Sequence, residues 1–443
     1  MLRVDSRKVE PGDTFLALTG PYTDGHDYIE DAIDKGAACI IASHGEYPVK
    51  TIITDDTRTY LSNYLKELNL EKIKKIKLIG IAGTAGKTVT GDLIFQLLNN
   101  LNMKTAYIGT NGFYIGGKVQ KISSSTPDIY ELYELINKAI DENCENIVIE
   151  ISSKAVKQRH IEGLRFDIAI FTNFVAHQRK DKEDYLNTKI ELFKMLKKGG
   201  YAIINKKDPY YEYFALPQNN NIFYGTLDSD YPMRKINANY EYTEFTLGKN
   251  TIKMPLIGPY NMFNYAAAYI TAKTLNFDDE EIISATLSMH PIDGRFENIK
   301  YKDSLIVIDY AYSLDTINNV IKEAKKIAQG KIITLIGCGG ERREDKRPLI
   351  GKLVSENSDF AIFTSDNPRH ENEEEIINDM TKDLEKDNYI SVPSRKEAIK
   401  KGINMLENKD ILLILGKGHE DYQIIGSDEF PFKDRDEVMK IIK

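Results

Sequence analysis

Short apolar runs alternate with longer helical patterns along most of the 443-residue chain, and this alternation limits the folds that the chain can adopt. The clearest runs are near-continuous stretches of aliphatic and β-branched residues. They lie at 77–82, 146–151, 167–173, 201–205, 304–311, 331–337, 359–365 and 410–416. Strands that are apolar on both faces and separated by helices belong to parallel sheets covered by helices on both sides. The sequence therefore predicts an α/β fold.

Polar or glycine-rich clusters follow many of these runs directly. In chain order they read GTAGKT, EISSK, FTNF, IDYAY, GCGGER, SDNPR and GKGHE. In parallel sheets, ligands bind at the carboxyl ends of the strands. A whole series of such clusters predicts a binding crevice at the sheet edge.

The length of the chain exceeds that of one ordinary core and favours about three domains. The charged stretch LEKIKKIK at 70–77 and the segment SMHPIDGR at 288–295 are the predicted boundaries. The expected domains are therefore residues 1–75, 76–292 and 293–443.

Composition excludes several classes of protein. A net charge of −8 argues against general nucleic-acid binding, which needs a concentrated basic surface. Cys39, Cys144 and Cys338 have no metal-ligand spacing, and buried thiols in a reducing compartment are expected. The polar N-terminus lacks a signal-peptide core, and the longest apolar runs are too short to cross a bilayer. We expect a cytoplasmic protein.

The sequence GTAGKT stands between an apolar run and a helical pattern. Its glycines allow backbone N–H groups to turn toward an anion at the positive end of the helix. Lys87 would reach the β- and γ-phosphates of a nucleotide, and the Thr88 hydroxyl would reach Mg²⁺. Ile81 occupies the position of the first glycine of the longer phosphate loop, so the alternative is a tight turn with a solvated lysine. The predicted ATP-binding loop comprises Gly83, Thr84, Ala85, Gly86, Lys87 and Thr88.

A compact G-T-x-G-K-T loop resembles that of the Mur ligases, the ATP-dependent amide ligases of peptidoglycan precursor synthesis. The resemblance covers nearly the whole chain and is closest to the branch that adds a diamino acid. It is carried, in family order, by VDSR at 4–7, SSTPD at 124–128, EISS at 150–153, YLNTKIELF at 185–193, DGRFE at 293–297, IDYA at 308–311, GCGGER at 337–342, SDNPRHE at 365–371 and GKGHEDYQ at 416–423.

The resemblance implies a three-domain architecture: an N-terminal UDP-substrate domain, a central P-loop-type parallel sheet that binds ATP, and a C-terminal Rossmann-like domain for the amino acid. It implies a monomer that adds meso-diaminopimelate, or a similar diamino acid, to UDP-N-acetylmuramoyl-L-alanyl-D-glutamate through an acyl phosphate. The expected substrates are small molecules, with no nucleic acid and no membrane insertion.

By the same resemblance, the expected catalytic residues are Lys87, Glu150, Lys189 and His177. Thr88, Glu150, His177 and Lys189 as a carbamate would hold Mg²⁺. A carbamate converts the lysine cation into an anionic ligand, which requires a neutral amine in a perturbed site. From the residues alone, Lys189 would be an ordinary helix-surface lysine.

The remaining site residues also follow from the resemblance. Arg369 offers a planar fork suited to the distal carboxylate of diaminopimelate, and Asn367 offers a donor and an acceptor. The amino-acid residues are Arg347, Asp366, Asn367, Arg369, Gly416 and Glu420. The further ATP residues are Asn264, Arg295, Asp309 and Tyr312, and the UDP-substrate residues are Ser6, Ser125, Thr126, Ser152, Gln158 and His160.

Departures from the family pattern concentrate at the catalytic centre. Ala85 replaces an asparagine, Tyr312 replaces a histidine, and the segment 174–184 is shorter and contains Arg179 and Lys180. Alternatives therefore stay open: a diverged paralogue with a changed acceptor, or a non-catalytic regulator that binds ATP or a muropeptide. A folylpolyglutamate-type ligase shares the ATP loop but is disfavoured by VDSR and SDNPR.

Overall fold

The computed structural model describes residues 1–20, 23–176 and 181–442. The chain divides into two compact units. One comprises Met1–Tyr224 with Ile270–Leu275, and the other comprises Gly225–Tyr269 with Asn276–Lys443. None of the helices in the described ranges is both long and apolar enough to cross a membrane.

The first unit begins with a small parallel sheet in which the strands pair in chain order. Its elements are β1 (Leu2–Arg3), β2 (Thr14–Leu16), α1 (Ile29–Asp34), β3 (Cys39–Ala42), β4 (Lys50–Ile53) and α2 (Thr57–Ile73). The side chain of Asp56 caps α2 by accepting hydrogen bonds from two backbone N–H groups of its first turn. Short 3₁₀ helices lie at Ser6–Lys8 and Gly25–Tyr28 here, and at Tyr211–Phe214 and Glu344–Lys346 further on.

The large sheet of the first unit has the strand order β12-β11-β10-β5-β9-β6-β7-β8. Its strands from β12 to β6 are parallel, and β7 and β8 continue the sheet as an antiparallel edge. The elements are β5 (Lys77–Ala82), α3 (Lys87–Asn100), β6 (Thr105–Gly109), β7 (Gly112–Ile115), β8 (Lys118–Gln120), α4 (Ile129–Asp141), β9 (Asn146–Glu150), α5 (Ser153–Lys157), β10 (Phe166–Phe171), α6 (Lys182–Lys194), β11 (Leu196–Asn205) and β12 (Asn220–Tyr224).

The rest of the chain begins with an antiparallel sheet of β13 (Met233–Ala238), β14 (Thr243–Leu247) and β15 (Asn250–Met254). A second large sheet follows, with the order β16-β17-β21-β18-β19-β20, and only β16 is antiparallel to its neighbour. Its elements and those around it are α7 (Pro259–Thr274), α8 (Asp279–Thr286), β16 (Glu297–Tyr301), β17 (Ser304–Asp309), α9 (Leu314–Ile327), β18 (Ile332–Cys338), α10 (Arg347–Asn357), β19 (Phe360–Ser365), α11 (Glu373–Thr381), β20 (Tyr389–Ser391), α12 (Arg395–Asn404), β21 (Ile411–Leu415), β22 (Tyr422–Ile425), β23 (Asp428–Pro431) and α13 (Asp434–Ile442).

The apolar runs that predicted the fold are central strands of these two large sheets, so the α/β prediction is confirmed. Every residue of β9 and of β21 is buried, which explains why these strands lack polar alternation. In both sheets the strand order reverses at an interior strand. β5 lies between β9 and β10, and β18 lies between β21 and β19. Ligands bind at such switch points in open α/β sheets.

A buried ion pair ties together two strand ends of the second large sheet. Arg395 and Asp434 both have fully buried side chains, and they form two hydrogen bonds of 2.7 Å. The guanidinium also donates to the carbonyls of Ser365 and Leu415, at 3.4 and 3.0 Å. Because these residues end β19 and β21, on either side of β18, Arg395 links two strands that are not neighbours.

We expect Arg395→Met to lower the free energy of unfolding by about 3–5 kcal/mol, because it leaves Asp434 buried without its partner. Urea denaturation of the full chain measures the change. The double variant Arg395→Met/Asp434→Leu removes both charges and should be less destabilised than the single variant. As a control, Lys331→Met breaks an exposed pair with Glu407 and should leave stability unchanged. A single variant as stable as the wild type would contradict the role of this pair.

Candidate functional site

Two glycines shape the loop between β5 and α3. Gly83 has a φ of +158°, and a Cβ at this position would lie 1.9 Å from the Thr172 hydroxyl. Gly86 has a φ of +82° and is the N-cap of α3. Both positions therefore favour glycine, and the loop leads into the positive end of a 14-residue helix. This arrangement suits an anion such as a phosphate group.

The loop is held in place by the end of the neighbouring strand β10. Asn173 accepts the Thr84 N–H on its carbonyl and the Ala85 N–H on its side-chain oxygen, both at 2.9 Å. Asn173 Nδ2 and the Thr172 hydroxyl donate to the Ala85 carbonyl, at 3.0 and 2.7 Å. Asn173 was not among the predicted site residues. The signal for it was the cluster FTNF, which follows an apolar run as the phosphate loop does.

Lys87 folds back over the loop from the first position of α3. Its Nζ donates to the carbonyls of Gly83 and Thr84, at 2.9 and 3.3 Å. Both of these acceptors are backbone carbonyls of the loop, so the oxygens of a phosphate bound at the loop would compete for the ammonium group. The position suits the predicted contact with the terminal phosphates.

Glu150 ends β9 next to the loop and is 1% exposed. Its Oε1 accepts the Tyr107 hydroxyl at 2.5 Å and the Thr110 N–H at 2.8 Å. Its Oε2 accepts the hydroxyls of Thr88 and Thr110, each at 3.2 Å. Burial, and secondarily the charge of Glu150, raises the pKa of Tyr107 well above its usual value, so its hydroxyl remains a donor. Tyr107 and Thr110 follow from the structure alone, because the sequence gives no sign that β6 ends beside Glu150.

Lys189 lies on α6 and is 3% exposed, so it is not the helix-surface lysine that its residue type alone would suggest. Its Nζ donates to the Gly83 carbonyl at 2.8 Å and lies 3.4 Å from the Ser153 hydroxyl. The amine also lies 4.2 Å from the centroid of the Tyr185 ring, one helical turn earlier. The structure thus brings Lys189 to the same loop as Lys87.

Thr88, Glu150 and Lys189 therefore gather around one loop. Hydroxyl and carboxylate oxygens are ligands that Mg²⁺ prefers, and Mg²⁺ is usually held by one or two carboxylates together with substrate phosphates. Within residues 1–20, 23–176 and 181–442, no cluster of three or more His, Cys, Asp or Glu side chains could hold a metal. The fourth predicted ligand, His177, lies outside the described residues.

Three of the predicted acceptor residues, Thr126, Ser152 and His160, are linked to the end of β9 by hydrogen bonds. Thr126 donates to the Glu150 carbonyl at 2.7 Å and accepts the Ser152 N–H at 3.0 Å, while its own carbonyl lies 3.0 Å from His160 Nδ1. Ser152 caps α5, and Gln158 follows its last residue. Ser125 adjoins Thr126 and is partly exposed, whereas Ser6 is a buried residue of the first 3₁₀ helix.

Arg159 adjoins His160 in sequence, but its side chain forms ion pairs with two acidic residues outside the predicted site. Its guanidinium forms ion pairs with Asp56 at 2.6 Å and Glu162 at 2.8 Å, and these acids raise its pKa. Arg159 therefore links the start of α2 to the segment after α5.

The second unit contains a cavity of about 360 Å³ at the carboxyl ends of β17, β18, β19 and β21. All six residues predicted to bind the amino acid line it: Arg347, Asp366, Asn367, Arg369, Gly416 and Glu420. Tyr312 also lines the cavity, as does Cys338, which is partly exposed as a residue, whereas Cys39 and Cys144 are buried as expected. Burial raises the pKa of the Cys338 thiol to about 12.

Charges of both signs face this cavity. Arg342, Arg343 and Lys346 line it together with the predicted arginines, whereas Asp366 and Glu420 are acidic. A cavity with both signs of charge suits a zwitterionic amino acid more than a simple anion. Burial raises the pKa of Asp366, while the cations Arg395 and Lys417 oppose that shift.

The two predicted arginines are held differently. Arg369 has a φ of +53°, which is unusual for a residue other than glycine, and its Nη1 donates to the Gly340 carbonyl at 2.9 Å. Such strained positions cluster at ligand sites. Arg347 is buried, and its two terminal nitrogens bind Glu371 at 2.6 Å and Asp379 at 3.1 Å. Arg347 therefore supports the cavity wall as well as lining it.

The other predicted ATP residues of this unit lie at or before the end of β17. Arg295 stacks on the Tyr310 ring at 4.8 Å, and Asp309 accepts the Phe296 N–H at 2.7 Å. Asn264 is buried on α7, with its amide 3.3 Å from the Asn261 side chain. Burial raises the pKa of Asp309 to about 6, against the opposing charge of Arg295.

Asp309 should make the folded protein sensitive to pH. A carboxyl whose pKa rises from 3.8 to about 6 on folding stabilises the fold below pH 3.8, and this contribution is lost as the pH rises through 6. The full loss is about 3 kcal/mol. We therefore expect the stability of Asp309→Asn relative to wild type to increase between pH 4.5 and about 6.5 and then to level off.

Urea denaturation of both proteins across this pH range measures that difference. Asp345→Asn is the control, because Arg343 lowers the pKa of this exposed carboxyl and its titration falls below the range. A difference for Asp309→Asn that stays constant with pH would contradict the raised pKa.

Comparison with known proteins gives consistent matches along the chain. Residues 1–84 match the family described as "Mur ligase family, catalytic domain", residues 81–272 match "Mur ligase middle domain", and residues 294–418 match "Mur ligase, glutamate ligase domain". The UDP-N-acetylmuramoyl-L-alanyl-D-glutamate–2,6-diaminopimelate ligase of Clostridium perfringens is 35% identical, over 100% of this chain and 94% of the relative.

Solved structures agree with these matches. A structure of UDP-N-acetylmuramoyl-L-alanyl-D-glutamate–2,6-diaminopimelate ligase is 28% identical, with a TM-score of 0.74 over 100% of this chain and 94% of its own. A MurF ligase from Thermotoga maritima, solved in complex with ADP, is 20% identical, with a TM-score of 0.66 over 100% and 96%, and shows the fold alone. A relative that is 35% identical over the whole chain, together with family models that match residues 1–272 and 294–418, shows that the chain belongs to the Mur ligase family.

Proposed function

We propose that this chain is an ATP-dependent ligase that joins 2,6-diaminopimelate to the D-glutamyl residue of UDP-N-acetylmuramoyl-L-alanyl-D-glutamate. The observation that carries the proposal is the cavity at the carboxyl ends of β17, β18, β19 and β21. It presents a guanidinium from Arg369, an amide from Asn367 and a carboxylate from Glu420 to one ligand. A diamino acid with two carboxylates and two ammonium groups matches this set.

The chemistry divides into two steps. A carboxylate oxygen of the acceptor attacks the γ-phosphorus of ATP, the bond to ADP breaks, and an acyl phosphate forms. The diaminopimelate amine, having lost one proton, then attacks the acyl carbon. The nitrogen gives up a second proton, and the tetrahedral intermediate breaks its carbon–oxygen bond to phosphate, which leaves with that proton as the amide forms. Phosphoryl transfer of this kind depends on positioning and on neutralising charge. Lys87 and the backbone N–H groups at the start of α3 would hold the terminal phosphates in position and neutralise their negative charge.

We propose Thr88, Glu150 and a carbamylated Lys189 as the Mg²⁺ ligands. A bound Mg²⁺ would neutralise charge on the phosphates during transfer. The carbamate forms when the neutral lysine amine attacks carbon dioxide, making an N–C bond and releasing a proton. Its remaining N–H can still donate to the Gly83 carbonyl, and its oxygens supply the hard ligands that Mg²⁺ prefers. The proposal places the enzyme in the cytoplasm because ATP is available there.

A regulator that binds ATP or a muropeptide without turnover is the main alternative, since the segment around His177 departs from the family pattern. The burial of both Lys189 and Glu150 beside the phosphate loop supports catalysis, because a loop that only binds ATP does not require a buried amine. Incubation of the protein with ATP, Mg²⁺, the UDP-dipeptide and diaminopimelate distinguishes a ligase from a non-catalytic regulator. Release of ADP that requires both acceptor and amino acid is expected, and release independent of either would refute the proposal.

Arg369→Met should raise the KM for diaminopimelate by about 10- to 100-fold, because it removes charge-assisted hydrogen bonds to the distal carboxylate. The KM for ATP should stay unchanged, and the preference for diaminopimelate over L-lysine should fall. Arg234→Met is the matched control, because Arg234 is exposed on β13 and does not line the cavity. Equal increases in both KM values would count against the role of Arg369.

Lys189→Ala should abolish ligation, and short-chain carboxylic acids should restore part of it by supplying the missing carboxylate. Steady-state rates with and without added acetate or propionate measure the rescue. Lys154→Ala is the control, because Lys154 is exposed on α5. The same acids should leave the rate of this variant unchanged. Absence of rescue in Lys189→Ala would leave Lys189 as a plain cation rather than a carbamate.

A further inference from the structure

Lys417 follows β21 directly in the segment GKGHE, and its side chain is 0% exposed. Its Nζ donates to the Asn367 Oδ1 and to the Glu420 Oε2, each at 3.0 Å. The ammonium also lies 5.4 Å from the centroid of the Tyr422 ring. Burying a cation is costly unless it is paired and hydrogen-bonded, and both conditions are met here. The ammonium does not line the cavity, but both of its hydrogen-bond acceptors do.

The contacts of Lys417 determine which way the Asn367 amide points. Asn367 Oδ1 receives two donors, the ammonium and the backbone N–H of Ile424 at 3.0 Å. An amide nitrogen at that position would face two donors and lose both bonds, so the orientation is unambiguous. Asn367 Nδ2 consequently donates to Glu420 Oε2 at 3.0 Å.

In the same network, the two carboxylate oxygens of Glu420 accept different numbers of hydrogen bonds. Oε2 accepts hydrogen bonds from both Lys417 and Asn367, whereas Oε1 has one long hydrogen bond within the described part of the chain, 3.4 Å from the Tyr310 hydroxyl. Oε1 is therefore the oxygen with capacity to accept an ammonium group from a ligand in the cavity. A carboxylate without a fixed partner would sample several rotamers at an entropic cost.

We propose that Lys417 is a positioning residue for the amino-acid site: its buried ammonium fixes the Asn367 amide and turns Glu420 Oε1 toward the ammonium group of the incoming amino acid. This inference rests on the proposed function for the identity of the ligand. It adds that specificity depends on a cation that does not itself touch the substrate. Lys417 also faces Asp366, whose negative charge it helps to offset.

Lys417→Met keeps the length of the side chain and removes the charge and its donors. We expect the KM for diaminopimelate to rise at least about tenfold, since hydrogen bonds to charged groups are lost. The KM for ATP should not change. Glu420 is partly open to the cavity, so water can solvate it and the fold should persist. Lys331→Met serves as the matched control, because Lys331 is an exposed lysine that pairs with Glu407 at the opposite end of β18.

A double-mutant cycle tests whether Lys417 acts through Glu420. In a Glu420→Gln background, Lys417→Met should add much less to the KM for diaminopimelate than it does alone. Additive effects, or equal effects on both KM values, would overturn the proposal. A role limited to folding would change stability without separating the two KM values.

A crystal structure of Lys417→Met provides a test that does not need turnover. We expect the Asn367 amide and the Glu420 carboxylate to leave their present positions, while Arg369 keeps its own. Unmoved Asn367 and Glu420 side chains would overturn the positioning role even if the wild type proves inactive. A wild type that fails to use diaminopimelate, with displaced side chains in the variant, would instead refute only the proposed substrate.

Discussion

Parallel strands deliver their carboxyl ends to one edge of a sheet, and the candidate sites of this protein depend on that constraint. In the first unit, β5, β9 and β10 bring the phosphate loop, Glu150 and Asn173 together, although 67 residues separate Gly83 from Glu150 in sequence. In the second unit, β17, β18, β19 and β21 form the walls of one cavity. Each site is therefore a consequence of strand order rather than of any single motif.

This is why much of the fold could be predicted from the sequence. Strands such as β9 and β21 are buried on both faces, and burial leaves a run of aliphatic residues that is easy to recognise. The polar clusters after these runs mark the strand ends, so the residues of the cavity could be grouped before their geometry was known. The antiparallel sheet of β13, β14 and β15 was not predicted, because β14 and β15 alternate buried with more exposed residues and β13 is mostly exposed, so these strands lack the near-continuous apolar runs by which the other strands were recognised.

The supporting residues could not be predicted, because their partners are distant in sequence. Tyr107 reaches Glu150 across 43 residues, and Arg395 meets Asp434 across 39. Nothing in the local sequence distinguishes Lys417 from a solvated lysine. The same holds for Arg159, which adjoins the predicted acceptor residue His160 in sequence but forms ion pairs with Asp56 and Glu162 in the structure. The geometry of side chains at a sheet edge depends on tertiary contacts, which the residue types of a short motif do not specify.

The central claim is that the chain transfers the terminal phosphoryl group of ATP to a carboxylate. Labelling the D-glutamyl carboxylate of the acceptor with oxygen-18 tests this directly, because the oxygen that attacks phosphorus leaves with the phosphate. Mass spectrometry of the inorganic phosphate formed with ATP, Mg²⁺ and diaminopimelate should find one labelled oxygen in each phosphate. Unlabelled phosphate, formed while the amide product accumulates or without it, would contradict the acyl-phosphate mechanism and the assignment that depends on it.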